Sequence, residues 1–347
     1  MTMARFLWPL VAAVICASLA PLEGCASRRA SRHAAADSLP SWNDGASKRA
    51  IIDFVERVTR RGGPEYVPPA QRIAVFDNDG TLWTEQPEYV QVAFMMDRVR
   101  ELAPHHPEWR DREPFKSMLA GDAAAALSSS KDAFNQLWTA THAGMTGDEF
   151  ERLSRDWIKS ARHPTRGRLY TELTYQPMLE LLGFLRACGF KTFIVSGGDT
   201  DFMRVWSERV YGIPPEQVIG SSLVAEYVSG DGRPEIQRRE EVALVALDER
   251  KAAAIYRYIG RRPIAAFGNS DGDFEMLEWT TSGPGPRLGA IVHHTDAERE
   301  AKYDRGSRVG RLERGLEAAP QRGWILVDMA RDWKVVFPKV NGTVNGR

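Results

Sequence analysis

The chain has 347 residues, with 46 Lys plus Arg against 46 Asp plus Glu and a formal net charge of zero. That balance excludes a general nucleic-acid binder, which needs a basic excess to meet the phosphate backbone. The length fits one large or two modest domains, and a hydrophobic fraction of 43% is enough to supply a sizeable core.

Arg5 precedes an apolar stretch from Phe6 to Ala20, which ends in Leu22-Glu23-Gly24-Cys25. A short positive start before an apolar segment of that length predicts a secretory signal over residues 1–24 rather than a spanning helix. The Leu-x-Gly-Cys ending is similar to a bacterial lipoprotein processing box, which would leave Cys25 as a lipid-bearing first residue in the periplasm or on the outer membrane. Glu23 stands where a small residue is usual, so plain signal cleavage is the alternative. Residues 25–45, rich in Ser, Arg and Ala as far as Trp42, read as a flexible tether. Of the three cysteines, Cys16 lies in the signal and Cys188 reads as a core thiol, so no disulfide framework is expected.

The apolar run Ile73 to Phe76 predicts a short buried parallel strand. Asp77 and Asp79 close it and a Gly-Thr turn follows, placing two carboxylates at the strand's carboxyl end, where open α/β sheets seat their ligands. Helical spacing over Tyr89 to Leu102 and Asp148 to Ile158 predicts helices in the interval that follows, packed by Trp109, Phe115, Phe134, Trp138 and Phe150. From Tyr175 strands and helices alternate. A helix over Met178 to Ala187 is closed by Gly189, a strand runs over Lys191 to Val195, and Ser196-Gly197-Gly198 makes a tight turn into a helix over Asp201 to Tyr211. A short strand over Val218 to Leu223, a hairpin over Val224 to Leu244, a helix over Glu249 to Ile259 and strands over Ile264 to Phe267 and Ala290 to Val292 complete the order. This alternation predicts an α/β fold with a Rossmann-like parallel sheet. The core would span 46–84 and 170–340, and an inserted helical cap 85–169.

Four termini then offer polar groups to one place. They are Asp77 with Asp79, Ser196-Gly197-Gly198 before a helix, Lys251 early in a helix, and Asn269, Asp271 and Asp273 in the turn after a strand. A carboxylate pair, an anion cradle, a cation and a hard-ligand site together point to magnesium-assisted phosphoryl transfer.

Phe76-Asp77-Asn78-Asp79-Gly80-Thr81-Leu82, Ile194-Val195-Ser196-Gly197-Gly198, Lys251 and Gly268-Asn269-Ser270-Asp271-Gly272-Asp273-Phe274-Glu275-Met276 resemble the four motifs of the haloacid dehalogenase superfamily, in order. Leu181 to Ile213 is most similar to its phosphoserine-phosphatase branch, which also carries a helical cap after the first strand. The resemblance implies that Asp77 forms an aspartyl-phosphate, that Asp79 acts as acid and then base, that Ser196 and the Gly197 and Gly198 backbone hold the phosphoryl group, and that Lys251 neutralises charge. It further implies Mg²⁺ held by Asp77, the Asp79 carbonyl, Asn269 and Asp273. Relatives carry an acid where Asn269 stands, so weak metal binding is expected unless Asp271 or Asp273 moves in. Glu85 or Glu88, near the hinge into the cap, would recognise a substrate amine or else be a solvent-facing linker charge.

Asp199 and Asp201 read as helix caps, and His105-His106 and His293-His294 as surface loops without the spacing of a zinc site. The expected function is hydrolysis of small phosphate monoesters in the cell envelope, with a small phosphorylated metabolite as the partner molecule. A phosphomutase of the same fold, or an envelope binding protein without activity, is the alternative.

Overall fold

In the computed structural model of the protein, which describes residues 39–229 and 232–339, the run Ile73–Phe76 forms strand β1, buried at every position. A strand covered on both faces has no need of polar alternation, which is why the sequence shows none. Helix α1 (Ala46–Thr59) precedes it. Helices α2 (Val90–Leu102), α3 (Phe115–Leu119), α4 (Ala123–Ser128), α5 (Ala133–His142) and α6 (Gly147–Ser160) follow before the chain returns through α7 (Gln176–Ala187) to β2 (Lys191–Asp199). Then come α8 (Thr200–Tyr211), β3 (Val218–Val228), β4 (Glu235–Leu244), α9 (Glu249–Ile259), β5 (Ala265–Gly268), α10 (Phe274–Thr281), β6 (Leu288–His293), α11 (Arg314–Arg322), β7 (Ile325–Asp328) and α12 (Met329–Asp332).

The seven strands form one sheet in the order β4-β3-β2-β1-β5-β6-β7. Every pair is parallel except β3 with β4. The chain moves from β1 outward to β2 and β3 on one side and resumes on the other side at β5. The carboxyl ends of β1 and β5 therefore border the crevice where the strand order reverses, the preferred ligand position in an open α/β sheet. Alternation along β1 sends Phe76 to one face, stacked on Phe267 with ring centroids 4.5 Å apart, and Val75 to the other, with Val195, Ala266 and Ile291. The helices between β1 and β2 have their own packed centre of Val92, Met95, Val99, Trp109, Phe115, Met118, Leu137 and Trp138. Phe134 is not sealed within it but lines the cleft described below.

Four readings change. Ser196-Gly197-Gly198 is not a turn but the last part of β2. β3 continues unbroken to Val228 instead of ending at Leu223, and its partner β4 makes the hairpin. β7 pairs with β6 at the sheet edge, a position that only tertiary packing settles. The expected tether is also too long. Its signal-side part, with Cys25, lies outside the described residues, but Leu39 and Trp42 are fully buried. The Trp42 indole donates to the Pro177 carbonyl at 2.9 Å and meets Trp333 edge-on at 6.0 Å. Among the described residues no helix is long and apolar enough to cross a membrane.

A chain beginning at Asn43 loses both anchors. Removing a buried Trp costs about 3–5 kcal/mol, so in thermal denaturation it is expected to melt at least roughly 6 °C below a chain beginning at residue 38. Equal melting temperatures would show that the 39–42 segment contributes nothing to the fold.

Candidate active site

Strand β1 delivers Asp77 to the crevice, where its amide donates to the Phe267 carbonyl of β5 at 2.9 Å. The turn after it closes on Asn78, whose carbonyl accepts from Thr81 and Leu82 at 3.2 and 2.8 Å. Gly80 is required at its tip: φ is +71°, and a Cβ there would collide with Asn269 and Glu85. Asp79 is fixed by Trp83, whose indole donates to Oδ1 at 2.8 Å while its ring stacks on Trp206 at 4.4 Å. Trp83 therefore orients Asp79.

Lys251, in the first turn of α9, reaches back across the crevice and is only 3% exposed. Its Nζ donates to Asp77 Oδ1 and to Asp273 Oδ1, both at 2.6 Å. Burial alone would depress the lysine, but the two carboxylates hold it above its ordinary value and fully charged. Burial pushes Asp77 up to about 7, with the Asp273 charge adding to the rise and Lys251 opposing it. Burial likewise lifts Asp79 to about 6, against the pull of the Trp83 indole.

The expected phosphate cradle comes from a mismatch in the sheet. Between Val195 and Asp199 strand β2 advances four residues, while β3 advances only from Ile219 to Ser221, so Ser196-Gly197-Gly198 bulges out of register. The bulge is braced from below. Ser221 Oγ donates to the Gly197 carbonyl at 2.8 Å, and a Cβ on Gly220 would strike the Gly198 carbonyl. The Gly198 amide donates to Ser196 Oγ at 3.1 Å, which aims the hydroxyl and leaves that amide occupied. Asp199 caps α8 through the Asp201 and Phe202 amides, as expected. Its side chain also accepts from the Trp138 indole at 3.0 Å and from buried Arg238 at 2.8 Å, and its amide donates to Gln91 at 2.7 Å. Arg238 also pairs with Asp201. The helices between β1 and β2 are thereby tied to the base of the cradle.

Asp273 and Asp271 stand apart from the ligand roles expected of them. Both Asp273 oxygens are engaged: Oδ1 by Lys251, and Oδ2 by the Asn269 and Ser270 amides at 3.0 and 3.1 Å. It anchors Lys251 instead of facing a cation. Asp271 accepts from the Glu313, Arg314 and Gly315 amides and so caps α11. Asn269 is 2% exposed, with Oδ1 accepting from Thr81 Oγ1 at 3.1 Å and Nδ2 donating to Glu85 Oε1 at 2.7 Å. Glu85 also accepts from the Tyr303 hydroxyl at 2.7 Å, and burial holds it well above the usual carboxylate range. Glu88 is half-buried and does not line the cleft.

His294 is no surface residue. It is 2% exposed, with Nε2 bonded to the Gly80 carbonyl at 2.7 Å and its ring stacked on Tyr303 at 4.3 Å. The sequence offered only a His-His pair at a strand end, with nothing to mark the second as a support for the Asp79-Gly80 turn.

These residues line a cleft of about 400 Å³. Asp77, Asp79, Glu85, Ser196, Gly197, Gly198 and Lys251 form its floor, while Tyr89, Val92, Leu127, Phe134 and Leu247 give one apolar wall and Arg308 and Arg311 stand at its rim. Among the described residues no three His, Cys, Asp or Glu side chains gather closely enough to hold a metal by themselves. The Asp77 carboxylate in the cleft and the buried Asn269 amide oxygen, both beside Thr81, are nonetheless the hard oxygen donors that Mg²⁺ takes.

A family model described as haloacid dehalogenase-like hydrolase matches residues 74–278, more than half of the chain. Among solved structures the chain is similar to a conserved functionally unknown protein from Anaerococcus prevotii DSM 20548, at 17% identity and a TM-score of 0.52, over 75% of this chain and 88% of that one. It is also similar to a protein of unknown function from Bordetella pertussis Tohama I, at 15% identity, a TM-score of 0.45 and coverage of 75% and 99%. A third is a phosphoserine phosphohydrolase-like protein from Francisella tularensis subsp. tularensis SCHU S4, at 15% identity, a TM-score of 0.36 and coverage of 64% and 87%. At 17% identity the likeness to the Anaerococcus protein speaks for the fold alone. No curated protein matches the chain.

The raised Asp77 has a consequence for stability. An acid lifted in the folded state from 3.8 to about 7 holds its proton more tightly there than in the unfolded chain, so its ionisation destabilises the fold progressively across that window. Asp77→Asn, which removes the charge and keeps the shape, is expected to melt at least about 2 °C above wild type near pH 8, the gap closing as the pH falls toward about 4. A lower melting temperature at pH 8 would show that the Lys251 contact outweighs the burial.

Proposed function

Because the chain belongs to the haloacid dehalogenase-like hydrolase family, we propose that it hydrolyses small phosphate monoesters, with Asp77 as nucleophile and Asp79 as acid and base. The observation that carries this reading is the buried Lys251 bridging Asp77 and Asp273 at 2.6 Å beside an Asp79 held by Trp83. A carboxylate oxygen of Asp77 attacks phosphorus, and the bond from phosphorus to the ester oxygen breaks as Asp79 gives its proton to the leaving alkoxide. Asp79 then takes a proton from water, which attacks the aspartyl-phosphate and releases inorganic phosphate. The lifted value of Asp79, about 6, suits a group that must both give and take a proton near neutrality.

Ser196 and the Gly197 backbone steady the transferred group, and Lys251 offsets the charge shared by Asp77 and the phosphoryl oxygens. Asp77, the Asp79 carbonyl and Asn269 would hold Mg²⁺, which would supply further neutralisation of charge. The helices of residues 85–169 act as the cap. Tied to the cradle through Gln91, Trp138 and Arg238, they shut water out and select the alcohol. The apolar wall and the cleft volume suit a small ester better than a phosphoprotein. The signal-like pattern of Arg5 to Ala20 supports export, with Cys25 as a lipid attachment point in the cell envelope.

Phosphate release from p-nitrophenyl phosphate and a panel of small alkyl phosphates tests this. Wild type with Mg²⁺ is expected to release phosphate, and Asp77→Asn to release none. Asp79→Asn is expected to turn over about 10²–10⁴-fold more slowly. With p-nitrophenyl phosphate, whose phenolate departs without a proton, it is expected to show a burst of one product per chain before that slow rate. A folded, Mg²⁺-saturated wild type that releases nothing from any ester would instead favour a mutase or a binding protein.

A further inference from the structure

We infer that Glu85 supplies the negative charge that Asn269 lacks and is a ligand of the cation at this site, not a receptor for a substrate amine. The inference rests on the phosphatase reading and concerns the same site. Asn269, buried behind the cleft, brings an amide oxygen but no charge, and the two nearby aspartates of its turn are spent elsewhere, Asp273 on Lys251 and Asp271 on α11. Glu85 is the carboxylate that accepts from the Asn269 side chain. It is 2% exposed, yet it lines the same cleft as Asp77 and Asp79.

Its two oxygens are used unequally. The Asn269 amide and the Tyr303 hydroxyl both donate to Oε1, each at 2.7 Å. Among the described residues no donor meets Oε2, which leaves it for the cleft. The contact on Oε1 does a second thing: with Nδ2 turned to Glu85, Asn269 Oδ1 faces Thr81, whose hydroxyl also lies 3.5 Å from Asp77 Oδ2. Asp77 and Asn269, joined through Thr81, and Glu85, joined to Asn269, thus offer two carboxylates and one neutral oxygen, the hard donor types a divalent cation takes.

The surrounding chain is shaped to admit Glu85 there. Gly80 and Gly310 both have positive φ, +71° and +66°, and a Cβ on either would collide with the Glu85 carboxylate. Gly310 is held in place by its amide, which donates to the Tyr89 hydroxyl at 3.2 Å, and Gln86 donates to the Val309 carbonyl at 3.0 Å. Two segments far apart in sequence are therefore built around one buried acid. A side chain reading a substrate would have been left free on the substrate side of the cleft, not clamped to Asn269.

Binding of Mg²⁺ by calorimetry and of Mn²⁺ by electron paramagnetic resonance, on the full chain without substrate, tests this. Glu85→Gln keeps an Oε1 acceptor for both donors and removes only the charge. It is expected to weaken both ions at least about tenfold, and Glu85→Gln with Asn269→Asp to regain most of the loss by restoring the charge on the neighbouring residue. Should Glu85→Gln fail to fold by thermal melting, Gly310→Ala, whose Cβ displaces the Glu85 carboxylate together with the Tyr303 ring beside it and leaves Asp77 and Asn269 in place, is expected to show the same weakening. Wild-type binding that Glu85→Gln or a folded Gly310→Ala leaves unchanged would overturn the assignment while leaving the phosphatase reading intact. A wild type that binds neither ion but still releases phosphate would overturn the cation site altogether. A wild type that neither binds an ion nor releases phosphate would remove both readings.

Discussion

One ammonium group, Lys251 Nζ, organises this molecule's chemistry. Two carboxylates buried side by side would repel each other and resist ionisation, and only a cation between them makes the arrangement tenable. Lys251 meets Asp77 and Asp273 at equal distance. Asp273 is itself pinned by the amides of the turn after β5, so the lysine's position is fixed from the far side. Asp77 in turn sits where β1 ends against β5. Two strands and a helix are therefore registered against one another by a single charge, and burial of the carboxylates, which Lys251 only partly opposes, leaves Asp77 and Asp79 with values near neutrality instead of those of surface acids.

The rest of the site is arranged around that centre by backbone devices. A register slip between β2 and β3 lifts Ser196 and its two glycines out of the sheet, and Gly220 leaves room for it. The Asp79 turn is propped from beneath by His294 and held at its side by Trp83. The inserted helices reach the cradle through Gln91 and Trp138, and through Arg238 of β4, which donates to the His142 carbonyl, all three converging on Asp199. A movement of those helices must therefore be felt at the bulge of Ser196-Gly197-Gly198.

Much of this was legible in the sequence, and the part that was not has a common cause. The apolar run closed by Asp77 and Asp79 marks β1 because burial on both faces leaves a local signature. The β/α alternation after Tyr175 shows the parallel sheet for the same reason. Lys251 is an ordinary helix lysine by local criteria, and only motif order singled it out. What escaped are contacts between distant segments. Leu39 and Trp42 sit at the end of a polar, Ser- and Arg-rich stretch and acquire their meaning from Pro177 and Trp333. Ser196-Gly197-Gly198 carries the residues of a turn, yet pairing with β3 makes it a bulged strand. Asp273 read as a metal ligand because its residue type allows that role, whereas its contacts with Lys251 and the Asn269 and Ser270 amides had no local trace. The partnership of Asn269 with Glu85, 184 positions apart, has no local trace at all.

The central claim, that Asp77 is the atom donor to phosphorus, is tested most directly by acid-quenching the protein during turnover of a phosphate ester and locating the phosphoryl group by peptide mass mapping. The account predicts an acid-stable, hydroxylamine-labile phosphoryl group on the peptide that contains Asp77, accumulating further when Asp79 is replaced. A protein that hydrolyses the ester while its label rests on Ser196, or while no peptide carries a label even in the Asp79 variant, would contradict it.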